Sequence, residues 1–287
     1  MDTPIKLAMF TFRFSSEQRS PVVVLIHGGY WYEPYKRASR NGSDLRPLAF
    51  DLQREGYTVL NIEYRRVGPS NGGFPETLND IVDAIDALSS LSQEELAVQL
   101  DLDRIALVGH SAGGHLALWR ALQAGIAPET AKIFGLKKAF LQPSLVVGLA
   151  AVSDLECTFD PNCTDTITSR RAVRDFLFSK RSDKVLKGAP NGQFDRLMEV
   201  VSPAQMLRAY DRRTSSKTLF IALNHGKQDR NVGILQSEHL NESAKNYASI
   251  ETLMNIHMDE DHFAVIDPRS TSWNNFVKPF LREALFE

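Results

Sequence analysis

The residues best placed to do chemistry are Ser111, Asp229 and His262, in that chain order. Ser111 lies in Gly109-His110-Ser111-Ala112-Gly113, between the apolar run Ile105 to Val108 and a small-residue stretch of helical character. A serine on so sharp a strand-to-helix turn sits in strained backbone, with its hydroxyl projecting above the sheet edge. Glycines two residues to either side permit the close approach of strand and helix. A serine hydroxyl is a weak nucleophile until a neighbouring base takes its proton. His262, in Asp259-Glu260-Asp261-His262-Phe263 after the last apolar run, is the candidate base, preferred over His225, His239 and His257. Asp229, in His225-Gly226-Lys227-Gln228-Asp229, is the candidate acid that would fix the imidazole tautomer and stabilise the imidazolium. Asp154 is the runner-up, while Asp259 and Asp261 lie too near His262 in sequence to be preferred.

A second cluster, His27-Gly28-Gly29-Tyr30-Trp31, follows the apolar run Val22 to Ile26. Glycines directly after a strand let backbone N–H groups turn toward a reacting carbonyl. Those of Gly29 and Tyr30, with that of Ala112 behind the serine, are the expected oxyanion donors. Trp31, Tyr32, Phe74 and His110 are the expected pocket residues. No C-x-x-C, H-E-x-x-H or His/Cys cluster points to a metal, and the chemistry needs no cofactor.

These residues need a scaffold that brings strand ends to one edge. Strand patterns fall at Leu7 to Phe14, Val22 to Ile26, Tyr57 to Tyr64, Arg104 to Gly109, Leu145 to Val152, Thr218 to Leu223 and Ile250 to Ile256. The unbroken β-branched run at 22–26 suits a strand covered on both faces. Helical spacing appears at Leu45 to Glu55, from Pro75 to Leu91, at Ala112 to Ala124, Leu235 to Tyr247 and Ser270 to Phe286. Asp80, Asp83 and Asp86 read as a solvated helix face. Alternating strands and helices imply a mostly parallel sheet with helices on both faces, an α/β fold whose ligands sit beyond the carboxyl ends of the strands. From Leu155 to Pro203 the alternation breaks down, with short helical patterns at Arg171 to Phe178 and Phe194 to Val200. That stretch reads as a cap inserted into a single 1–287 domain. Substrate choice is expected to reside in this cap and in Ile133 to Ser144.

Over nearly its whole length the chain resembles the α/β-hydrolase superfamily. His27-Gly28-Gly29-Tyr30-Trp31, Gly109 to Leu116 and Asp261-His262-Phe263 are similar to kynurenine formamidases and related small carboxylesterases. The stretches Glu63 to Gly68 and Gly73 to Leu78 are similar to a broad group of microbial α/β-hydrolases. The resemblance implies an α/β-hydrolase fold with Ser111, Asp229 and His262 as a triad.

At 287 residues and a net charge of −2, the chain can bury a large core and has no electrostatic reason to bind nucleic acid or an anionic membrane. The opening residues Met1 to Lys6 lack a basic region followed by an apolar one, so a cytoplasmic protein is expected. By the same argument Cys157 and Cys163 are expected as reduced thiols. The expected partner is a small-molecule substrate, with a homodimer as a further option. A serine hydrolase acting on an ester or activated amide accounts best for the constellation. A cyclase, lyase or acyltransferase on the same fold, and a catalytically silent binding module, are the competing readings.

Overall fold

Val22 to Ile26 is fully buried, which is what an unbroken apolar run predicts for a strand covered on both faces. It belongs to β2 (Ser20–Ile26) at the heart of a seven-stranded sheet, seen in a computed structural model. That structure describes residues 7–10, 19–35, 43–90, 100–160, 163, 166–178, 193–214 and 218–286. The other strands are β1 (Leu7–Phe10), β3 (Thr58–Ile62), β4 (Leu100–His110), β5 (Leu145–Leu149), β6 (Leu219–Gly226) and β7 (Ile250–His257). Their order is β1-β3-β2-β4-β5-β6-β7. β1 runs antiparallel to β3 and every other pairing is parallel. The register Ile26↔Gly109↔Gly148↔Leu223↔Met254 aligns the carboxyl ends of five strands, so the loops leaving them converge on one edge. The expected strand portion at 11–14 and the helix end at Leu91 lie outside the described residues.

Successive residues of each buried strand feed opposite faces. Val22, Val24 and Ile26 pack against α2 (Glu76–Asp86) and α3 (Ala112–Leu122). Val23 and Leu25 pack against α1 (Arg46–Arg54), Trp273 and Leu281 of the closing helix. The remaining helices of the frame are α4 (Pro128–Ile133), α5 (Ile167–Leu177), α6 (Gln193–Val201), α7 (Pro203–Arg213), α8 (Leu235–Ala244) and α9 (Lys278–Phe286).

Two of the three aspartates of α2, Asp80 and Asp86, are withdrawn from the solvated face expected of them, while Asp83 stays in it. Asp80 is buried and binds the Arg65 guanidinium at 2.7 Å and its backbone N–H at 2.8 Å. Asp86 accepts the N–H groups of Phe140 and Leu141 and pairs with buried Arg120, while Asp83 pairs with Lys137. Helical periodicity marks the apolar stripe but carries no information about cations arriving from other segments. The same contacts place 133–144: Gly135 to Leu141 is fastened to α2, and no residue of 133–144 is among those lining the two clefts around Ser111 described below.

Cys157 and Cys163 form a disulfide, against the expectation of free thiols. Compartment arguments ignore local geometry. Here a tight turn, with Asp160 N–H on Cys157 O and Cys163 N–H on Asp160 O, returns the chain until the two Cα atoms are 5.6 Å apart.

Candidate active site

Ser111 connects β4 to α3 with φ 56° and ψ −121°, a conformation that costs a non-glycine residue roughly 1–3 kcal/mol. Two features hold it there. Its N–H donates to Leu149 O at 2.9 Å, and its carbonyl accepts from His115 and Val152. The close approach needs glycine: a Cβ on Gly113 would stand 2.1 Å from Ile26 O, and one on Gly109 2.2 Å from Gly113 O. Ala112 is the first residue of α3, where a backbone N–H has no intrahelical acceptor.

His262 sits in the turn after β7, with Nδ1 2.7 Å from Asp229 Oδ2. A carboxylate only accepts, so Nδ1 carries the proton and Nε2 is the nitrogen left to act as base. The other Asp229 oxygen accepts the N–H groups of Asn231 and Val232 at 2.8 and 2.9 Å. Oδ2 also faces His225 Nε2 at 3.3 Å. Burial pushes the Asp229 carboxyl up, but the hydrogen bonds from His225 and His262 outweigh it and hold it well below the usual carboxylate range. His225 Nδ1 meets Ser237 Oγ at 2.8 Å and Nε2 lies 3.1 Å from Val232 O, so this second imidazole is part of the cradle of the acid. Its position directly at the end of a strand was the one sequence signal for that role.

Asp154 is elsewhere. It lies 3.4 Å from His239 and accepts the N–H groups of Glu156 and Cys157, holding the turn after β5. The Asp154–Cys157–His239 grouping offers no thiolate to a metal, because Cys157 is in the disulfide.

Ser111 and His262 line one cleft of about 300 Å³, with Gly29, Tyr30, Tyr35, Asn231 and Phe263 around them. Among the described residues no hydrogen bond joins the Ser111 hydroxyl to His262, and such contacts are often long before substrate binds. The loop carrying Gly29 and Tyr30 is turned by positive φ angles of 110°, 55° and 56° at Gly29, Tyr30 and Trp31. It is clamped from the segment after β3. Tyr64 Oη donates to His27 O at 2.8 Å, Glu63 lies 3.0 Å from His27 Nε2, and Val67 N–H donates to Trp31 O at 2.7 Å. Glu63 is further paired with Arg66. The loop of His262 is anchored similarly. Buried Glu260 accepts the Ser272 N–H at 2.9 Å and the Ser272 hydroxyl, and Ser272 accepts from Asn224.

The four expected pocket residues separate. Trp31 lines a second, smaller slot beside Ser111, stacked on Phe176 with ring centroids 4.9 Å apart. Tyr32 lines neither cavity; its hydroxyl donates to Asp175 at 2.8 Å, and burial together with that contact pushes the phenol up to about 12. Phe74 is fully buried in the core against Phe134. His110 is also fully buried, behind His262 rather than in the cleft. Burial, then the neighbouring imidazole, lower it to about 3, so the neutral ring donates Nε2–H to His262 O at 2.8 Å. Its place beside Ser111 in sequence says nothing of which side of the turn it takes. Tyr35 and Asn231, in contrast, line the cleft without having carried any sequence signal.

A largely parallel sheet with helices on both faces, and a serine on a strained turn between a central strand and the helix behind it, define the α/β-hydrolase fold. The chain belongs to the BD-FAE family, whose family model matches residues 12–244. It is similar in structure to the carboxylesterase Cest-2923 of Lactobacillus plantarum, with a TM-score of 0.70, 15% identity, and 98% of this chain and 93% of that one covered. In sequence it is 31% identical over 140 residues to the kynurenine formamidase avaC of Aspergillus versicolor, 46% of this chain and 44% of the relative. It is also 34% identical over 120 residues to the non-reducing polyketide synthase ausA of Aspergillus calidoustus, 39% of this chain and 5% of that protein. The chain thus spans less than half the length of either curated relative. No helix among the described residues is long and apolar enough to cross a membrane.

Proposed function

We propose that the chain is an esterase-type serine hydrolase that cleaves an ester, or an activated amide of the N-formyl-aryl type, in a small metabolite. The observation that carries the reading is the 2.7 Å contact of His262 Nδ1 with Asp229, on a histidine that shares its cleft with Ser111. With Nδ1–H committed to Asp229, His262 Nε2 takes the proton of Ser111 as Oγ bonds to the substrate carbonyl carbon. The negative charge formed on the carbonyl oxygen faces the N–H groups of Gly29, Tyr30 and Ala112, each such donor being worth about 10²–10³ in rate. The intermediate collapses, the bond to the leaving oxygen or nitrogen breaks, and that atom takes the proton from Nε2. Water then gives a proton to Nε2 as its oxygen bonds to the acyl carbon; the bond from that carbon to Ser111 Oγ breaks, Oγ takes the proton back from Nε2, and the acid is released.

The likeness to a kynurenine formamidase supports the amide branch and the likeness to a carboxylesterase the ester branch. Steady-state kinetics on 4-nitrophenyl esters and on N-formyl-aryl amides decide between them, with Ser111→Ala as the control. Turnover of at least one class, abolished in the variant, is expected. A native protein that turns over neither would remove the proposal and favour a cyclase, an acyltransferase or a binding module.

A further inference from the structure

Two cavities of very different size meet at Ser111. The first is the 300 Å³ cleft that contains His262 and Phe263. The second, on the side of Trp31 and Ala112, is a slot of about 10 Å³ walled by Val152, Val173 and Val232, which is room for one water-sized group. Tyr30 borders both, and His262 borders only the first.

The geometry points to a division of the substrate in which the acyl substituent enters the slot and the leaving group occupies the cleft, restricting the enzyme to formyl and acetyl donors. The inference rests on the hydrolase reading and adds a direction to it. A tetrahedral carbon on Ser111 Oγ has three other substituents. The oxygen faces the backbone N–H groups of the Gly29 loop and of Ala112. The leaving atom must receive a proton from His262, so it lies on the side where that imidazole is, the large cleft. Of the two cavities that meet at Ser111, the slot is the one left for the third substituent, and its size admits a hydrogen or a methyl group.

Val173 sets this limit from outside the sheet. It projects from α5, which is fixed over the slot at both ends: Ser169 Oγ donates to Asn231 O at 2.8 Å, and Phe176 stacks on Trp31. Val173 and Val232 are buried, so an ethyl or longer acyl chain must displace one of them. The cleft carries no such limit. Its walls of Tyr30, Tyr35 and Phe263 with the polar Asn231 suit an aryl or sugar-sized alcohol or amine.

The test holds the leaving group constant and lengthens the acyl chain, using 4-nitrophenyl acetate, propionate, butyrate and hexanoate. Wild-type kcat/KM is expected to fall about tenfold or more for each carbon beyond acetate. Val173→Ala should raise the ratio of butyrate to acetate kcat/KM by at least about tenfold, because two methyl groups leave the slot. Val232→Ala, which keeps the backbone bonds to Asp229, should do the same and serves if the first variant folds poorly. Replacing 4-nitrophenyl by 1-naphthyl at constant acetyl should change kcat/KM by less than tenfold, a margin of about one hydrophobic contact. Wild-type turnover of butyrate or hexanoate as fast as acetate, still abolished by Ser111→Ala, overturns the acyl assignment and leaves the hydrolase reading standing. No turnover of any ester or formamide overturns both.

Discussion

Replacing Asp229 by asparagine changes few atoms and should nearly silence the enzyme. In the structure Oδ1 accepts two backbone N–H groups, from Asn231 and Val232, and Oδ2 accepts His262 Nδ1–H at 2.7 Å. An amide has one acceptor oxygen. Two backbone donors claim it, so the new NH2 occupies the Oδ2 position and points at His262. To accept from that NH2, His262 must move its proton from Nδ1 to Nε2. The tautomer so trapped cannot take the Ser111 proton. His225 Nε2, which also faces Oδ2, meets a donor where it met an acceptor. The loss from such a tautomer change is roughly 10⁴-fold in kcat, equivalent to about 5 kcal/mol of transition-state stabilisation. KM should change little, because Asp229 does not line the cleft. Steady-state kinetics of Asp229→Asn on 4-nitrophenyl acetate, with circular dichroism to establish folding, is the assay. A folded variant within tenfold of wild-type kcat would mean that the His262 tautomer is not set by Asp229.

The same carboxylate sets a pH dependence of stability. Its folded pKa is depressed below the unfolded value, so its contribution is complete above about pH 4 and is lost as the pH falls toward the folded value. Urea midpoints measured from pH 6 to pH 3 should therefore fall more steeply for wild type than for Asp229→Asn, and parallel profiles would contradict this. The disulfide closes a short loop, with a sequence separation of 6 between its cysteines, for which chain entropy predicts about 2 kcal/mol of stabilisation. Replacing both cysteines by serine should lower Tm by about 4 °C in calorimetry, and an unchanged Tm would show that the turn holds itself.

How much of this was legible depended on whether the information was local. Val22 to Ile26 reads as a strand buried on both faces, and a mostly parallel sheet follows from such runs separated by helical periods, whereas the spatial order of the strands does not. That Ser111, Asp229 and His262 come to the same sheet edge follows from chain order, since each leaves a strand there, and not from side-chain direction. Direction is what failed. Phe74 and His110 stand beside motif residues in sequence, yet both turn into the interior, one against Phe134 and the other behind His262. Asp80 and Asp86 leave the solvated face of α2 for a related reason: Arg65 and Arg120 reach them from other segments, and no period in the helix announces a partner. The disulfide turned on backbone that returns at Asp160, which composition does not encode. His225 was visible as a strand-end histidine, but its service to Asp229 appears only once Val232 and Ser237 are seen around it.

An activated Ser111 nucleophile would be captured covalently by an electrophile that needs no recognition beyond the reacting centre. The native protein is incubated with a small alkyl fluorophosphonate and its intact mass recorded, followed by peptide mapping, with Ser111→Ala and His262→Ala in parallel. A single adduct on Ser111 is expected in the wild type, none in Ser111→Ala, and labelling slowed by at least about 10²-fold in His262→Ala, the lower end of what a general base contributes. An unlabelled wild type, or an adduct that persists in Ser111→Ala, would contradict the nucleophilic role of Ser111.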